Sequence, residues 1–105
     1  MIARVTTFEG DPERMEEGVR IYREQVVPWL RDSTGFRGVM IMIDRENDRA
    51  MGVSFWTTLE AASDADSSGA TLRDELAASV GSILTGEEFL EVVTAEALGI
   101  KDAAA

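Results

Sequence analysis

The stretch that decides the fold is Gly35-Phe-Arg-Gly-Val-Met-Ile-Met-Ile-Asp44, followed by the polar residues 45–48 and then Arg49-Ala-Met-Gly-Val-Ser-Phe-Trp56. Two runs rich in Val, Ile, Met and aromatic residues around a short polar loop predict a β-hairpin. Neither run alternates apolar and polar residues, as a strand with one solvent-exposed face does. Both faces of the hairpin must therefore be buried by other parts of the protein.

The composition of the two faces follows from antiparallel pairing across a loop of even length. One face carries Gly38, Met40, Met42, Met51, Val53 and Phe55, and the other carries Arg37, Val39, Ile41, Ile43, Ala50, Gly52, Ser54 and Trp56. In this register Arg37 and Trp56 are cross-strand neighbours. A guanidinium group could then stack on the indole ring.

Length and composition predict a single globular domain over residues 1–105, with an ordered core over about residues 1–98. The chain has no cysteine and no histidine, which excludes disulfides, thiolate metal sites and imidazole as a general base. The acidic residues form no recognisable metal-binding loop, so no metal site is predicted. The formal charge of −10 disfavours nucleic acid and anionic membranes as partners. Without a membrane span or a basic leader, we expect a cytoplasmic protein.

The segments before the hairpin predict a strand and a helix. Residues 2–8 have the β-branched and aromatic bias of a strand. Asp11-Pro12 is typical of a helix start, and apolar residues at spacings of three and four predict a helix over 12–31. Pro28 predicts a kink near Glu24 without a break, because proline lacks the N–H that a regular helix uses.

The segments after the hairpin predict two helices and a strand. Thr57 and Glu60 have the spacing of a capping box for a short helix ending near residue 64, followed by a polar link over 64–69. A second helix is predicted from Thr71 to a stop at Gly86, and its apolar side consists of Leu72, Leu76, Val80, Ile83 and Leu84. The final strand is predicted over 89–97, and residues 99–105 are expected to fray.

This order of elements predicts an α+β fold, a ferredoxin-like four-stranded antiparallel sheet with all helices on one face. The other face would then expose a large apolar surface, which is unusual for a soluble monomer. We therefore expect a homodimer, a dimeric α/β barrel, in which two sheets pack through the face bearing Met40, Met42, Met51, Val53 and Phe55.

Four pieces of the sequence resemble the antibiotic biosynthesis monooxygenase-like domains of the dimeric α/β-barrel superfamily. They are residues 28–31 (PWLR), 35–38 (GFRG), 44–47 (DREN) and 55–62 (FWTTLEAA). The resemblance implies a class that includes cofactor-free oxygenases of polyketide-type phenols, haem-degrading enzymes, isomerases and proteins without an assigned activity. Haem chemistry of that branch is excluded because its axial histidine is absent here, so no cofactor is expected.

A candidate pocket lies where Ala50, Gly52 and Ser54 leave little side-chain volume beneath a helix. Such a strip either lets the helix pack closely or leaves a cavity. A cavity would be walled by Trp56, Tyr22, Trp29 and Phe8. Arg37 could then stabilise a phenolate while Trp56 holds its ring; alternatively, Arg37 extends to solvent and Trp56 fills the core. Further polar candidates are Arg4, Thr6 and Ser54, and Tyr22 is either a core residue or a proton donor.

Two functional hypotheses remain open at the level of sequence. The first is a cofactor-independent monooxygenase acting on a small aromatic or polyketide-like ligand in an apolar pocket, as the resemblance implies. The alternative is a non-catalytic dimeric domain with a ligand-binding or structural role. No catalytic acid or base can be assigned from the sequence.

Overall fold

The computed structural model describes residues 1–96. The elements in chain order are β1 (Ile2–Gly10), a 3-10 turn (Pro12–Arg14), α1 (Met15–Ile21), a π-turn (Tyr22–Val26), α2 (Val27–Arg31), β2 (Phe36–Asp44), β3 (Arg49–Trp56), α3 (Leu59–Ser79) and β4 (Ser82–Glu91). The strands form one antiparallel sheet in the order β2-β3-β1-β4. The predicted ferredoxin-like topology is therefore confirmed.

The central hairpin has the predicted register over most of its length. Gly38 lies opposite Phe55, Met40 opposite Val53 and Met42 opposite Met51. The four-residue turn is held by the Asp44 carboxylate, which accepts hydrogen bonds from the backbone and side-chain nitrogens of Asn47 at 3.3 and 2.9 Å. Arg49 also donates to Asp44 at 3.0 Å. These bonds fix which face of each strand meets the helices.

The start of β2 departs from that register. A bulge lies at Arg37, so that Phe36 rather than Arg37 is opposite Trp56, and Arg37 is exposed. The predicted pairing of Arg37 with Trp56 is therefore wrong. The extra residue of a bulge shifts all earlier positions by one, which an even-loop register cannot anticipate. The neighbour of the Trp56 ring is Phe36, in an edge-to-face contact with centroids 5.5 Å apart.

The first helical segment spans residues 12–31 as predicted. Asp11 caps it by accepting a hydrogen bond from the Glu13 N–H at 2.9 Å. The expected irregularity before Pro28 is a π-turn, in which the Val27 N–H bonds to the carbonyl of Tyr22, five residues back. Pro28 has no N–H to donate to the Glu24 carbonyl. The wider turn relieves the steric contact between the Pro28 ring and the Glu24 carbonyl oxygen.

The region after the hairpin forms one helix where two were predicted. Its N-cap is Thr58, which accepts from the Ala61 N–H at 3.1 Å, whereas the predicted cap Thr57 bonds through its backbone to the Gly35 carbonyl. The predicted link at 64–69 is helical. Gly69 is required there because a Cβ atom at this position would lie 2.9 Å from the Trp29 ring. The glycine that indicated a loop thus permits close packing between helices.

The end of α3 was also predicted too late. The helix ends at Ser79, and the chain turns at Gly81, whose φ of +69° favours glycine. Ile83 and Leu84 therefore belong to β4, and Gly86 lies inside that strand. The final strand ends at Glu91, where the prediction extended to residue 97. Residues 97–105, which include the predicted frayed tail, lie outside the described part of the chain.

The helices pack against one face of the sheet, and the other face is exposed to solvent. On one face a core of five buried residues joins helices and sheet: Val26, Leu30, Trp56, Ala62 and Ala65. On the other face the side chains of Met40, Met42 and Leu90 remain 40%, 43% and 49% exposed. Among residues 1–96, none of the helices has the length and hydropathy needed to cross a bilayer.

Candidate functional site

A cavity of about 80 Å³ lies between the helices and the sheet. Since a single water needs roughly 10–15 Å³, this space can hold several waters or part of a small ring. Its walls come from β1, the first helical segment, β2, β3 and α3, and they are mainly apolar. The lining includes Phe8, Tyr22, Ile41, Ala50, Gly52 and Leu76.

The cavity exists partly because residue 52 has no side chain. A Cβ atom there would lie 3.1 Å from the Thr6 hydroxyl oxygen and 3.7 Å from that of Tyr22. The Thr6 hydroxyl in turn donates to the Gly52 carbonyl at 3.3 Å, so Thr6 is satisfied by the sheet itself. Of the two outcomes predicted for the small-residue strip, the structure shows the cavity.

A second, smaller recess of about 20 Å³ lies beside the first. Tyr22, Val26 and Arg73 line both spaces, so the two are neighbours separated by shared side chains. The recess is also bordered by Arg4, Asp66, Trp29 and Trp56. It is just large enough for one water-sized group.

A cluster of four charged groups lies beside the recess. Asp66 Oδ1 is 2.5 Å from Arg4 Nη2 and 2.6 Å from Arg73 Nη1, and Arg4 Nε is 3.4 Å from Glu87 Oε1. Burial raises the pKa of Asp66, but the hydrogen bond from Arg73 and the guanidinium charges of Arg4 and Arg73 outweigh it, so the pKa is lowered overall. Asp66 is therefore a carboxylate at neutral pH.

Arg4 is buried and paired with two carboxylates. The residue is only 8% exposed, and its fully buried Nη2 atom lies 2.5 Å from Asp66 Oδ1. Its Nε donates to Glu87 Oε1 at 3.4 Å. The guanidinium charge is therefore compensated by side chains of the protein itself.

Tyr22 faces both spaces and is neutral at physiological pH. Burial raises the pKa of its hydroxyl, while the charges of Arg4 and Arg73 oppose that rise without cancelling it. Within residues 1–96 the Tyr22 hydroxyl forms no hydrogen bond to a protein atom. Tyr22 is therefore a hydrogen-bond or proton donor towards the cavity rather than a base.

Trp56 and Ser54 are joined by a buried hydrogen bond. The Trp56 indole N–H donates to the Ser54 hydroxyl at 2.8 Å, and these two residues are 1% and 3% exposed. This bond uses the polar atom of the indole and fixes the ring against the core. Trp56 therefore acts mainly as core structure and presents one edge to the small recess.

The predicted pocket residues are distributed over both spaces. Phe8 and Tyr22 line the larger cavity, Trp29 and Trp56 line the recess, and Ser54 lies behind Trp56. Arg37 borders neither space. Sequence reasoning missed Asp66 and Arg73, seven residues apart on α3, because residues 64–69 were interpreted as a link and not as helix.

Residues 1–96 contain no group of three or more carboxylates arranged to hold a metal ion. The larger cavity offers the Tyr22 phenol, the Arg73 guanidinium and apolar walls, and the recess adds Arg4 and the Asp66 carboxylate. The phenol and the guanidinium can donate hydrogen bonds to a ligand oxygen, whereas Asp66 is held by Arg4 and Arg73.

No family model matches the chain. Two uncharacterized proteins of Mycobacterium tuberculosis are similar in sequence. Rv2558 is 36% identical over 75 residues, which cover 71% of this chain and 32% of that protein. Rv2557 is 31% identical over 87 residues, covering 83% and 39%. The chain thus spans about a third of the length of the curated relatives it matches.

Solved structures with the same fold are more distant in sequence. A monooxygenase from the gene ActVA-Orf6 of Streptomyces coelicolor, in complex with nanaomycin D, has a TM-score of 0.70 at 21% identity, covering 90% of this chain and 88% of that one. SnoaB, a cofactor-independent oxygenase from Streptomyces nogalater, has a TM-score of 0.69 at 14% identity, covering 91% and 96%. The predicted resemblance is confirmed at the level of fold: this chain has the architecture of the antibiotic biosynthesis monooxygenase-like proteins.

Proposed function

We propose that this chain is a cofactor-independent monooxygenase that oxidises a small, electron-rich aromatic or polyketide-like substrate in the cavity beneath its first helix. The observation that supports this most is a mainly apolar cavity whose polar lining includes Tyr22 and Arg73. Apolar walls exclude water from a reactive carbanion, and the polar end stabilises the ionised substrate. Two proteins of the same fold, a monooxygenase and a cofactor-independent oxygenase, support the proposal.

The proposed reaction balances without a resident cofactor. A phenol or enol with an activated CH₂ group ionises, and its proton passes to solvent. The substrate anion then supplies the electrons to O₂, and a carbon–oxygen bond forms to give a hydroperoxide. Cleavage of the O–O bond leaves a carbonyl group and water, so that CH₂ and O₂ become C=O and H₂O. Carbon is oxidised, O₂ is reduced, and the protein holds the anion.

The test is oxygen consumption with an anthrone-type phenol, followed together with quinone absorbance. We expect uptake above the rate of spontaneous oxidation, and roughly a tenfold loss in Tyr22→Phe because a hydrogen bond to a charged oxygen is removed. Arg37→Ala is the matched control, since Arg37 is exposed and borders neither space; its rate should be unchanged. Uptake equal to the protein-free rate would refute catalysis.

A non-catalytic ligand-binding domain is the second candidate. It is favoured by one observation: within the described residues no cavity side chain is a base, since Tyr22 is held neutral. Tight binding of the same phenol without oxygen uptake would support this candidate over the enzyme.

The proposal includes a homodimer formed through the uncovered sheet face. Met40, Met42 and Leu90 lie on this face with 40–49% of their surface exposed, and the predicted interface also includes Met51, Val53 and Phe55. A single chain leaves this apolar area in water, and a second copy packed face to face would bury it symmetrically.

Met40→Lys tests the interface, with Leu59→Lys as the control. Both residues are exposed apolar side chains, but Leu59 lies at the start of α3, away from this face. Val53 is a poorer probe because it is only 9% exposed in the single chain. In sedimentation equilibrium we expect the wild type and Leu59→Lys to be dimers and Met40→Lys to be monomeric. A monomeric wild type would contradict the proposal.

A further inference from the structure

We infer that Glu88 couples formation of the homodimer to pH, because this carboxylate lies within the apolar sheet face and becomes protonated when a second copy covers that face. The partner is another copy of this chain, and each subunit takes up one proton on assembly. The inference rests on the proposed homodimer. It does not depend on the proposed oxidation.

The strand register places Glu88 on the uncovered face of the sheet. Arg4 contacts α3 and so lies on the helix side, which puts the next residue, Val5, on the other side. Across the sheet Met40 pairs with Val53, and Val53 pairs with Val5. Val5 in turn pairs with Glu88 on β4. This row of the uncovered face therefore passes through three apolar side chains and ends at a carboxylate.

The residues around Glu88 on this face carry no charge. Along β4 its neighbours are Gly86 and Leu90, and the facing residues of β1 are Val5 and, diagonally, Ala3 and Thr7. None of the salt bridges within residues 1–96 involves Glu88. In the single chain its carboxylate depends on water alone, since the residue is exposed.

The other charged side chains of this face form a separate row at the hairpin end. In the register Glu9 pairs with Arg49, and Arg49 pairs with Asp44. Arg49 Nε already donates to Asp44 Oδ2 at 3.0 Å. Glu9 is four residues along β1 from Val5, which is about 13 Å at the rise of a strand, and Arg49 lies one strand further away. Arg49 therefore does not compensate Glu88 within one chain.

The face is large enough to pack against a second copy. Its four strands have eight to ten residues each. At about 4.8 Å between strands and about 3.3 Å per residue, the sheet measures roughly 19 by 30 Å, or about 570 Å² in projection. The relief of the side chains raises the accessible area towards the roughly 800 Å² per partner that stable interfaces bury. An interface of this size extends across all four strands, including β4.

Covering Glu88 removes its carboxylate from water and supplies no cation from its own chain. An unpaired charge is costly to bury, and a carboxylate in that position binds a proton instead. The dimer then holds more protons than two free chains do. Its dissociation constant should therefore fall as the pH is lowered, and dimerisation should be weakest at alkaline pH.

Sedimentation equilibrium at about pH 8 and about pH 5.5 measures this linkage. We expect the wild-type dissociation constant to be at least about tenfold lower at the acidic pH, which corresponds to one pKa unit of linkage. Glu88→Gln is neutral at both values, so it should dimerise at pH 8 at least as tightly as the wild type does at pH 5.5. Glu75→Gln is the matched control for net charge, because Glu75 is an exposed carboxylate on α3, on the opposite side of the sheet. It should keep the wild-type pH dependence.

Three results would overturn this inference and leave the homodimer intact. The first is a wild-type dimer with the same dissociation constant at both pH values. The second is an equal pH dependence in Glu88→Gln and Glu75→Gln, which would assign the effect to net charge. The third is weaker dimerisation of Glu88→Gln than of the wild type at pH 8, which would indicate that a cation of the second copy pairs with Glu88. A wild type that is monomeric at every pH would contradict both the homodimer and the inference.

Discussion

Replacing Gly69 with alanine should destabilise the protein, although alanine is the better helix former. Inside α3 the change gains up to about 1 kcal/mol of helix propensity. The new Cβ atom, however, would lie 2.9 Å from two carbons of the Trp29 ring. A rigid indole must shift to relieve that contact, and overpacking of this kind costs about 1–3 kcal/mol. The net loss is therefore about 1 kcal/mol in the free energy of unfolding.

Gly18→Ala is the matched control for this prediction. Gly18 is also inside a helix, but its added Cβ would lie 3.4 Å from Val80 Cγ2, an ordinary contact. We expect this variant to be stabilised by about 0.5–1 kcal/mol. Urea and thermal unfolding measure both, with about 4 °C per kcal/mol in a domain of this size. Equal stabilisation of the two variants would refute the packing of Trp29 against α3.

Three further predictions concern the cavity, the cap of α3 and the charged cluster. Gly52→Ala should fold but bind 4-nitro-1-naphthol, a phenol too electron-poor to be oxidised, more weakly, since its methyl group enters the cavity; unchanged affinity in calorimetry would contradict this. Thr58→Ala should lose about 1 kcal/mol of stability and Thr57→Ala almost none, and equal losses in urea melts would refute the assigned cap. The pKa of Asp66 is lowered in the folded state, so stability should fall as pH drops below about 4, where the unfolded chain takes up the proton first. Asp66→Asn should flatten this dependence, and an unaltered profile would contradict it.

The fold could be predicted largely because one segment leaves few choices. Two apolar runs around a polar turn require a hairpin with two covered faces, and the register from Met40 to Met51 follows from the period of two along a strand. The π-turn before Pro28 was also foreseeable in kind, since proline removes one specific hydrogen bond. These features depend on local sequence alone.

The errors occur where a contact distant in sequence decides the local structure. Gly69 and its polar neighbours are typical of a loop, yet the glycine is needed because Trp29 packs against it from another helix. Ile83 and Leu84 continue a helical spacing, yet pairing with β1 makes them part of a strand. The bulge at Arg37 lies beside Gly38, and a lone glycine inside a strand often marks a bulge, but the even-loop register assumed regular pairing up to Phe36.

The candidate site was predictable in its walls but not in its charges. Aromatic residues on the apolar faces had to point inward, so Phe8, Tyr22, Trp29 and Trp56 were accessible to sequence reasoning. The cluster of Arg4, Asp66 and Arg73 was not recognised, because it forms only if α3 runs unbroken past residue 69 and brings both of its charged side chains over β1.

The central claim is that the cavity beneath the first helix binds an aromatic phenol beside Tyr22. A crystal structure of the protein with 4-nitro-1-naphthol tests it most directly. We expect a ring between Tyr22 and the Ala50–Gly52 strip and an oxygen within hydrogen-bond distance of the Tyr22 hydroxyl. Density for the ligand on another surface, with the cavity filled by water alone, would contradict it.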